Sequence, residues 1–141
     1  MRKAISLFLA ICLLTFTACS SSQPTDEELV EKSVKQFIHA FNQGSADEML
    51  SCFSSAERER LAGQNIAEVL WVAIALGLGV ENVGDTAQLT DITVSVYKAG
   101  FANAYANLSY TGDSGDYSGH VLFELIEENG SWLVQNYECI E

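Results

Sequence analysis

The first half of the domain shows the hydrophobic spacing of helices. In residues 26 to 43 the apolar side chains recur at intervals of three and four and share one helical face: Val30, Val34, Phe37, Ile38 and Phe41. This spacing predicts a helix over Asp26–Gln43 that ends before Gly44 and packs on an apolar partner. A short helix is predicted over residues 46 to 53. A third helix is predicted to begin at residue 55, with a polar first turn, 55 to 63, that leads into the apolar segment 64 to 79. This apolar segment is predicted as a buried core helix, because a glutamate interrupts it and the remaining apolar run is shorter than a membrane span.

Each predicted helix start carries a capping-box pattern, a Ser or Thr followed three residues later by Glu. The three pairs are Thr25 with Glu28, Ser45 with Glu48 and Ser54 with Glu57. In such a box the hydroxyl and the carboxylate accept hydrogen bonds from backbone N–H groups that the first helical turn leaves unpaired. The pattern therefore indicates three helix starts.

From residue 89 the hydrophobic pattern alternates, which is typical of strands with one buried face. Four strands are predicted, over residues 89 to 97, 101 to 110, 117 to 126 and 131 to 139, with an Asn-Gly hairpin signal before the last one. The alternation predicts an inward face made of Ile92, Val94, Val96, Ala102, Ala104, Ala106, Leu108, Val121, Phe123, Leu125, Trp132 and Val134. The predicted fold class is α+β, with three N-terminal helices packed on a four-stranded antiparallel meander.

This order of elements resembles the nuclear transport factor 2-like superfamily, which includes the SnoaL-like domains. The segment VKQFIHAFNQGSADEMLSCFS (34 to 54) is similar to the family's opening of helix, Gly and short helix, and LFELIEENGSWLVQNYE (122 to 138) is similar to its closing hairpin. The resemblance implies a curved sheet wrapped around the helices as a cone, often open to a pocket. A cystatin-like arrangement, with one long helix cupped by the sheet, is the alternative, and three helix starts favour the first. Because the superfamily includes isomerases, dehydratases, epoxide hydrolases and polyketide cyclases as well as binding domains, the fold does not settle the function.

The inward faces offer few groups that could perform catalysis. Enzymes of this fold that move protons beside a carbonyl place ionisable groups inside the apolar cone, whereas the inward side chains predicted here are almost all apolar. Tyr110, Asn136 and Glu138 bring polar atoms to that side near strand ends, and a Tyr110 and Glu138 acid–base pair is the enzymatic alternative. We expect no catalytic set, and the candidate ligand-pocket residues are Trp71, Tyr110, Phe123, Trp132 and Glu138.

Both histidines are predicted to face away from the cone. His39 lies opposite the apolar stripe of the first helix, and His120 alternates with the inward Val121. Since no third ligand stands at a suitable spacing, neither a zinc site nor a cofactor is predicted.

The outward strand faces are not wholly polar. They are predicted to carry Phe101, Tyr105, Leu122, Ile126, Leu133 and Tyr137. An apolar patch of this kind favours a protein partner, and the family resemblance implies that a second copy could pair through the sheet. The alternative is a set of scattered surface apolar residues, which are common.

The N-terminus has the pattern of an export signal. Arg2 and Lys3 precede a continuous apolar stretch, residues 4 to 17, which has the length of a signal-peptide core and is shorter than the about 20 residues needed to span a bilayer. The junction Ala18-Cys19 then resembles the lipobox of bacterial lipoproteins. An uncleaved anchor or a plain secretory signal is the alternative.

The lipobox resemblance implies the division of the chain. Cleavage before Cys19 would remove residues 1 to 18 as a signal peptide and leave Cys19 diacylated, with residues 19 to 25 as a flexible tether and 26 to 141 as the domain. Two acyl chains hold a membrane firmly, because each buried methylene contributes about 0.8 kcal/mol. We therefore expect a protein anchored by lipid on the extracytoplasmic face of the cell membrane.

The charge of the chain excludes one class of partner. Loss of residues 1 to 18 removes two of the seven Lys and Arg residues and none of the 19 Asp and Glu residues, so the net charge changes from −12 to −14. Phosphate binding needs clustered Lys and Arg, so nucleic acid is not an expected partner. Electrostatic docking on anionic lipid is disfavoured for the same reason.

Two cysteines remain beyond the signal and the lipidation site. Cys52 and Cys139 could form one disulfide that closes a long loop, worth about 3 to 5 kcal/mol in the chain-entropy model, if the protein reaches an oxidising compartment. The alternative is two separate free thiols that pack as small apolar side chains. The spacing of the two cysteines does not decide between them.

The sequence thus predicts a non-enzymatic, lipid-anchored domain that binds a small apolar ligand in its cone or a protein on its sheet. A small-molecule isomerase or hydrolase of the same fold is the alternative. A third possibility is a cone filled by its own side chains, Trp71 and Trp132 among them.

Overall fold

The computed structural model describes residues 23 to 62, 74 to 80, 84 to 112 and 115 to 140. Three helices come first, α1 (Asp26–Gln43), α2 (Ala46–Ser51) and α3 (Ser55–Leu61), and residues 74 to 77 form a further helical turn. Four strands follow: β1 (Thr86–Tyr97), β2 (Phe101–Gly112), β3 (Gly115–Glu128) and β4 (Ser131–Ile140). They form one antiparallel sheet in the order β1-β2-β3-β4, which confirms the predicted α+β meander.

Several predictions fall on parts of the chain that are not described. The signal peptide, Cys19 and Trp71 lie outside the described residues. So does most of the apolar segment 64 to 79, although residues 74 to 77 at its end are helical as predicted.

The three predicted helix starts are confirmed. At α1 the capping box is complete, because Glu28 N–H donates to Thr25 Oγ1 at 3.3 Å and Thr25 N–H donates to Glu28 Oε2 at 2.9 Å. The hydroxyls of Ser45 and Ser54 accept hydrogen bonds from the third helical N–H groups of α2 and α3. α1 ends at Gly44, whose φ of 63° lies in the left-handed region that glycine adopts without strain.

After α2 the chain joins the sheet instead of remaining helical. Phe53 forms a parallel bridge with Val134 of β4. The Val134 N–H donates to the Cys52 carbonyl and the Ser54 N–H donates to the Val134 carbonyl, both at 2.9 Å. The prediction of a helix through residue 53 was therefore wrong, because these backbone groups pair with the edge of β4.

α1 packs across the inward face of the sheet, where it contacts β1, β2 and β4. The predicted apolar stripe of α1 is fully buried. Opposite it, the inward face of β2 carries Ala102, Ala104 and Ala106, each at most 1% exposed. These small side chains leave room for the large aromatic residues of the core. The predicted inward residues of β1, Ile92, Val94 and Val96, pack against the same core but are only half-buried.

Two irregularities interrupt the sheet. Leu89 pairs with Leu108 and Asp91 with Asn107, so Thr90 is left without a pairing partner in β1. In β4, Val134 pairs with Leu125 and Asn136 with Glu124, so Gln135 is the extra residue. A bulge of this kind reverses which side chains of the following segment face inward.

Candidate binding site

The bulge at Gln135 changes the face on which the end of β4 presents its side chains. Beyond it, Tyr137 pairs with the inward Phe123, and Glu138 pairs with Leu122 on the outward face. Glu138 is exposed, whereas Tyr137 contacts core aromatic residues. The expectations that Asn136 and Glu138 face inward and Tyr137 outward were therefore wrong, since strict alternation was assumed. Glu138 and the inward Tyr110 lie on opposite faces of the sheet, which removes the acid–base pair proposed from the sequence.

Tyr110 lies inward as predicted, but its phenol is already engaged. The side chain is fully buried, and its hydroxyl donates a hydrogen bond to the Leu78 carbonyl. Its ring stacks on Tyr117 with centroids 4.6 Å apart. Burial raises the pKa of Tyr110 well above its usual value, and nearby Cys139 and Tyr117 raise it further. A phenol that is buried and hydrogen-bonded in this way supports the core rather than proton transfer.

The same end of the sheet contains a buried carboxylate. Asp85 is 4% exposed and accepts a hydrogen bond from the Tyr117 hydroxyl at 3.2 Å. Its carboxylate lies where a Cβ on Gly112 would stand. The chain can bring β2 this close to Asp85 because residue 112 has no side chain. Tyr110, Tyr117 and Asp85 thus form a packed polar cluster at this end of the core.

Among the described residues, aromatic rings fill the space between α1 and the sheet. Phe37 of α1 contacts Phe53, Phe123 and Tyr137 at centroid distances of 5.4, 5.5 and 5.2 Å. The Tyr137 ring also packs directly on the backbone at Gly77. Burial raises the pKa of Tyr137 well above its usual value. Phe123, a predicted pocket residue, is therefore part of this aromatic core.

Cys52 and Cys139 are free thiols, so of the two alternatives left open by the sequence the disulfide is the one that is not formed. The backbone of Cys52 pairs with Val134, and Cys139 stands five residues farther along β4. At about 3.3 Å per residue the two positions are separated by roughly 16 Å, whereas a disulfide needs Cα atoms within about 7 Å.

A groove of about 440 Å³ lies between α1, α2 and the start of β4. We call it the α1–β4 groove, and its lining residues are Lys32, Ser33, Lys35, Gln36, His39, Ala40, Glu48, Ser51, Cys52, Trp132 and Leu133. Trp132 lies in its wall with 5% of its surface exposed. Of the predicted pocket residues, Trp132 therefore lines a groove at the surface instead of an internal cone.

The groove has an uneven distribution of charge. Lys32, Lys35 and His39 line it from α1, and Glu48 is the acidic residue among its lining side chains. Lys35 forms an ion pair with Glu31 at 2.5 Å, whereas Lys32 forms none among the described residues. Two of the five Lys and Arg residues beyond residue 18 thus line a groove beside a tryptophan, in a chain of net charge −12.

Cys52 lies in the same groove. Its thiol donates a hydrogen bond to the Glu48 carbonyl at 3.3 Å, and burial raises its pKa above the ordinary value. A thiol in this state is a weak nucleophile, because the thiolate is the reactive form. The sequence analysis considered Cys52 as a disulfide partner or as a packed free thiol, and it placed neither Cys52 nor Lys32 in a binding site. The spacing of residues on one helix does not show which strand lies beside it.

The outward face of the sheet carries a row of apolar side chains at one end. Tyr97 pairs with Phe101, Phe101 with Ile126, and Ile126 with Leu133, so one row crosses all four strands. Tyr97 and Phe101 are 52% and 46% exposed. We call these four residues the outer apolar row. The predicted outward positions of Phe101, Ile126 and Leu133 are thus confirmed, and Tyr97 joins them.

Neither a metal cluster nor a membrane-spanning helix occurs in the described part of the chain. Its His, Cys, Asp and Glu side chains form no group of three that could hold a metal ion. None of its helices combines the length and the apolar character needed to cross a bilayer.

Solved structures share the architecture described above. A protein of unknown function with a cystatin-like fold from Nostoc punctiforme is 12% identical, with a TM-score of 0.60 over 83% of this chain and 92% of that one. A nuclear transport factor 2-like protein of unknown function from Shewanella oneidensis is 14% identical, with a TM-score of 0.58 over 84% and 100%. The chain has the nuclear transport factor 2-like fold. A proposed scytalone dehydratase from Novosphingobium aromaticivorans is also similar, at 13% identity and a TM-score of 0.54 over 79% and 80%.

At these sequence identities the similarity shows a shared fold and does not show a shared function. Neither a protein-family model nor a curated protein sequence matches this chain. The function must therefore be argued from the surfaces of the molecule itself.

Proposed function

We propose that this protein is a lipid-anchored, extracytoplasmic binding domain without catalytic activity, and that its ligand occupies the α1–β4 groove. The observation that carries the proposal is the groove itself, a concave surface of about 440 Å³ with Trp132 in its wall and lysines at its rim. Ligand sites are typically concave, mostly apolar and supplied with a few polar groups that orient the ligand. The Cys19 lipobox pattern supports the anchor.

The interior of the fold argues against the cone as the ligand site. Phe37, Phe123 and Tyr137 occupy the space between α1 and the sheet in the described residues. Tyr110, the buried inward phenol, is hydrogen-bonded to a backbone carbonyl. The buried side chains thus stabilise the fold, and the exposed groove is free to bind.

Native mass spectrometry of residues 20 to 141 tests this proposal. The described helices and strands lie within residues 26 to 140, so this shorter chain retains the whole described fold without the lipid. We expect a ligand mass that co-purifies with the chain and is lost on gentle activation. The variant Gln36→Trp should lose this mass, because residue 36 lines the groove and indole would fill it.

The matched control is Gln88→Trp, which introduces the same side chain at an exposed position of β1 that does not line the groove. It should keep the ligand mass. A bare wild-type chain, or a ligand mass that survives Gln36→Trp, would contradict the proposal.

A second candidate function is pairing of two copies through the outer apolar row. The exposure of Tyr97 and Phe101 favours it, because contiguous exposed aromatic residues are characteristic of interaction surfaces. Phe101→Lys should then convert a dimer into a monomer on a sizing column. Ser118→Lys, at an exposed site on the same face, should leave the dimer intact. A wild-type chain that elutes as a monomer rules out this function.

A further inference from the structure

We propose that the α1–β4 groove selects a single-chain amphiphile with an anionic head, such as a carboxylate on a tail of ten to twelve carbons. This inference rests on the proposed function and names the class of its ligand. It is carried by the size of the groove, by the nature of its wall and by the charges that face it.

The size of the groove is compatible with a ligand of this length. Its volume is about 440 Å³, and a water-sized group takes about 30 Å³, so roughly 14 such groups fit. A saturated carboxylate of twelve carbons has about that number of heavy atoms. A protein partner needs about 800 Å² of contact on each side, which a groove of this size does not supply by itself.

The wall of the groove suits an alkyl tail. Trp132 and Leu133 line it from β4 and Ala40 lines it from α1, with the half-buried Cys52 between them. Each methylene that leaves water against such a surface contributes about 0.8 kcal/mol. The tail would lie along these side chains at the floor of the groove.

The charges at the rim select the head. Lys32 has no ion-pair partner among the described residues. His39 also lines the groove, two helical turns farther along α1 and about 10 Å away. A chain with 19 acidic residues repels anions over most of its surface. The unpaired ammonium of Lys32 beside an apolar wall is therefore complementary to an anionic head and repels an ammonium head.

Two thiols in one chain provide a readout that reports the place of binding. A chain of residues 20 to 141 contains Cys52 in the groove and Cys139 outside it. Alkylation by a maleimide is followed at both cysteines by peptide mass spectrometry, in the presence of dodecanoate, dodecanol or dodecylamine below their micelle concentrations. We expect dodecanoate to slow alkylation of Cys52 at least tenfold and to leave Cys139 unchanged, whereas dodecylamine protects neither.

A charge-reversal pair tests the head site. Lys32→Glu should weaken protection by dodecanoate about tenfold, because the attraction between the Lys32 ammonium and the carboxylate head is replaced by repulsion between two carboxylates. Lys98→Glu makes the same change of charge at an exposed hairpin position outside the groove and should leave protection unaltered.

The outcomes separate the ligand class from the binding function. Equal protection of Cys52 by all three amphiphiles would overturn the anionic selection and keep the groove as a binding site. If dodecanoate protected Cys52 equally well in the wild type and in Lys32→Glu, or if it also protected Cys139, the amphiphile would bind elsewhere and the inference would be overturned. No protection by any probe, together with a bare mass, would overturn both proposals.

Discussion

At the residue scale, one end of the core depends on the contact between a glycine and a carboxylate. A Cβ on Gly112 would lie 1.5 Å from Asp85 Oδ1. Asp85 cannot easily move away, because it is buried and accepts a hydrogen bond from Tyr117. Gly112→Ala should therefore lower the free energy of unfolding by about 1 to 3 kcal/mol, the usual cost of overpacking, as measured by denaturant titration.

Gly119→Ala is the comparison for this variant. A Cβ there would lie 3.3 Å from Tyr110 Cε2, a contact that needs only a small adjustment. Equal losses in the two variants would mean that the Asp85 carboxylate does not confine residue 112.

A carboxylate at the β3–β4 hairpin links stability to pH. The Glu128 oxygens accept hydrogen bonds from the Ser55 N–H, each at 3.1 Å, and from the Ser55 hydroxyl. These bonds hold the pKa of Glu128 below its ordinary value of 4.5. A lowered pKa in the folded state contributes stability above that ordinary value and loses it as the pH falls through the folded-state pKa.

Glu128→Gln should therefore lower the unfolding temperature at pH 7, and the difference from wild type should shrink as the pH falls below about 4. Thermal unfolding followed by circular dichroism over this pH range measures it. Glu138→Gln serves as the control, because Glu138 is exposed and should show no such difference. A Glu128→Gln deficit that persists unchanged in acid would contradict the role of the charge.

At the scale of elements, the bulge in β4 decides which side chains build the core. Because Gln135 is the extra residue, Tyr137 faces inward and Glu138 faces outward. Tyr137→Ala should then cost about 3 kcal/mol of unfolding free energy, as for other large aromatic truncations in a core. Glu138→Ala should stay within about 0.5 kcal/mol. Denaturant titration measures both losses. A larger loss in Glu138→Ala than in Tyr137→Ala would contradict the bulge and indicate regular alternation in β4.

The hydrophobic pattern was sufficient to predict the buried residues of an element where one helical or alternating spacing runs through the whole element. The α1 stripe and the inward residues of β2 and β3 could be predicted because burial follows helical or alternating spacing without interruption. The bulge at Gln135 could not, because neither Gly nor Pro marks it and the partner strand sets it. The bridge at Phe53 was missed for a similar reason, since pairing with Val134 joins residues far apart in sequence.

At the scale of the whole molecule, the aromatic core and the proposed binding surface, the α1–β4 groove, lie in different places. The aromatic residues of α1, β3 and β4 meet one another inside, while the unpaired Lys32 lies at a groove on the outside. The sequence analysis predicted Trp132 as a candidate ligand-pocket residue but placed it in a cone, whereas it lines the groove. The groove itself could not be predicted, because it exists only where α1, α2 and β4 come together.

The proposed lipid anchor would determine where this groove works, and Cys19 is the residue that tests it. α1 begins at Asp26, seven residues after Cys19. A tether of that length reaches at most about 25 Å, so an acylated Cys19 would hold the groove close to the membrane surface. An amphiphile that leaves or enters the bilayer would then be released close to the groove.

Cys19→Ser should abolish incorporation of labelled palmitate and move the protein out of the membrane fraction, because two acyl chains supply the membrane affinity. Fractionation of cells that express the full chain, followed by immunoblotting, measures this. Cys12→Ser is the matched control, since Cys12 lies within the predicted signal peptide and its loss should leave both labelling and fractionation unchanged. Cys19→Ser protein that stays in the membrane would instead indicate an uncleaved anchor, and wild-type protein that is unlabelled and released would indicate a plain secretory signal.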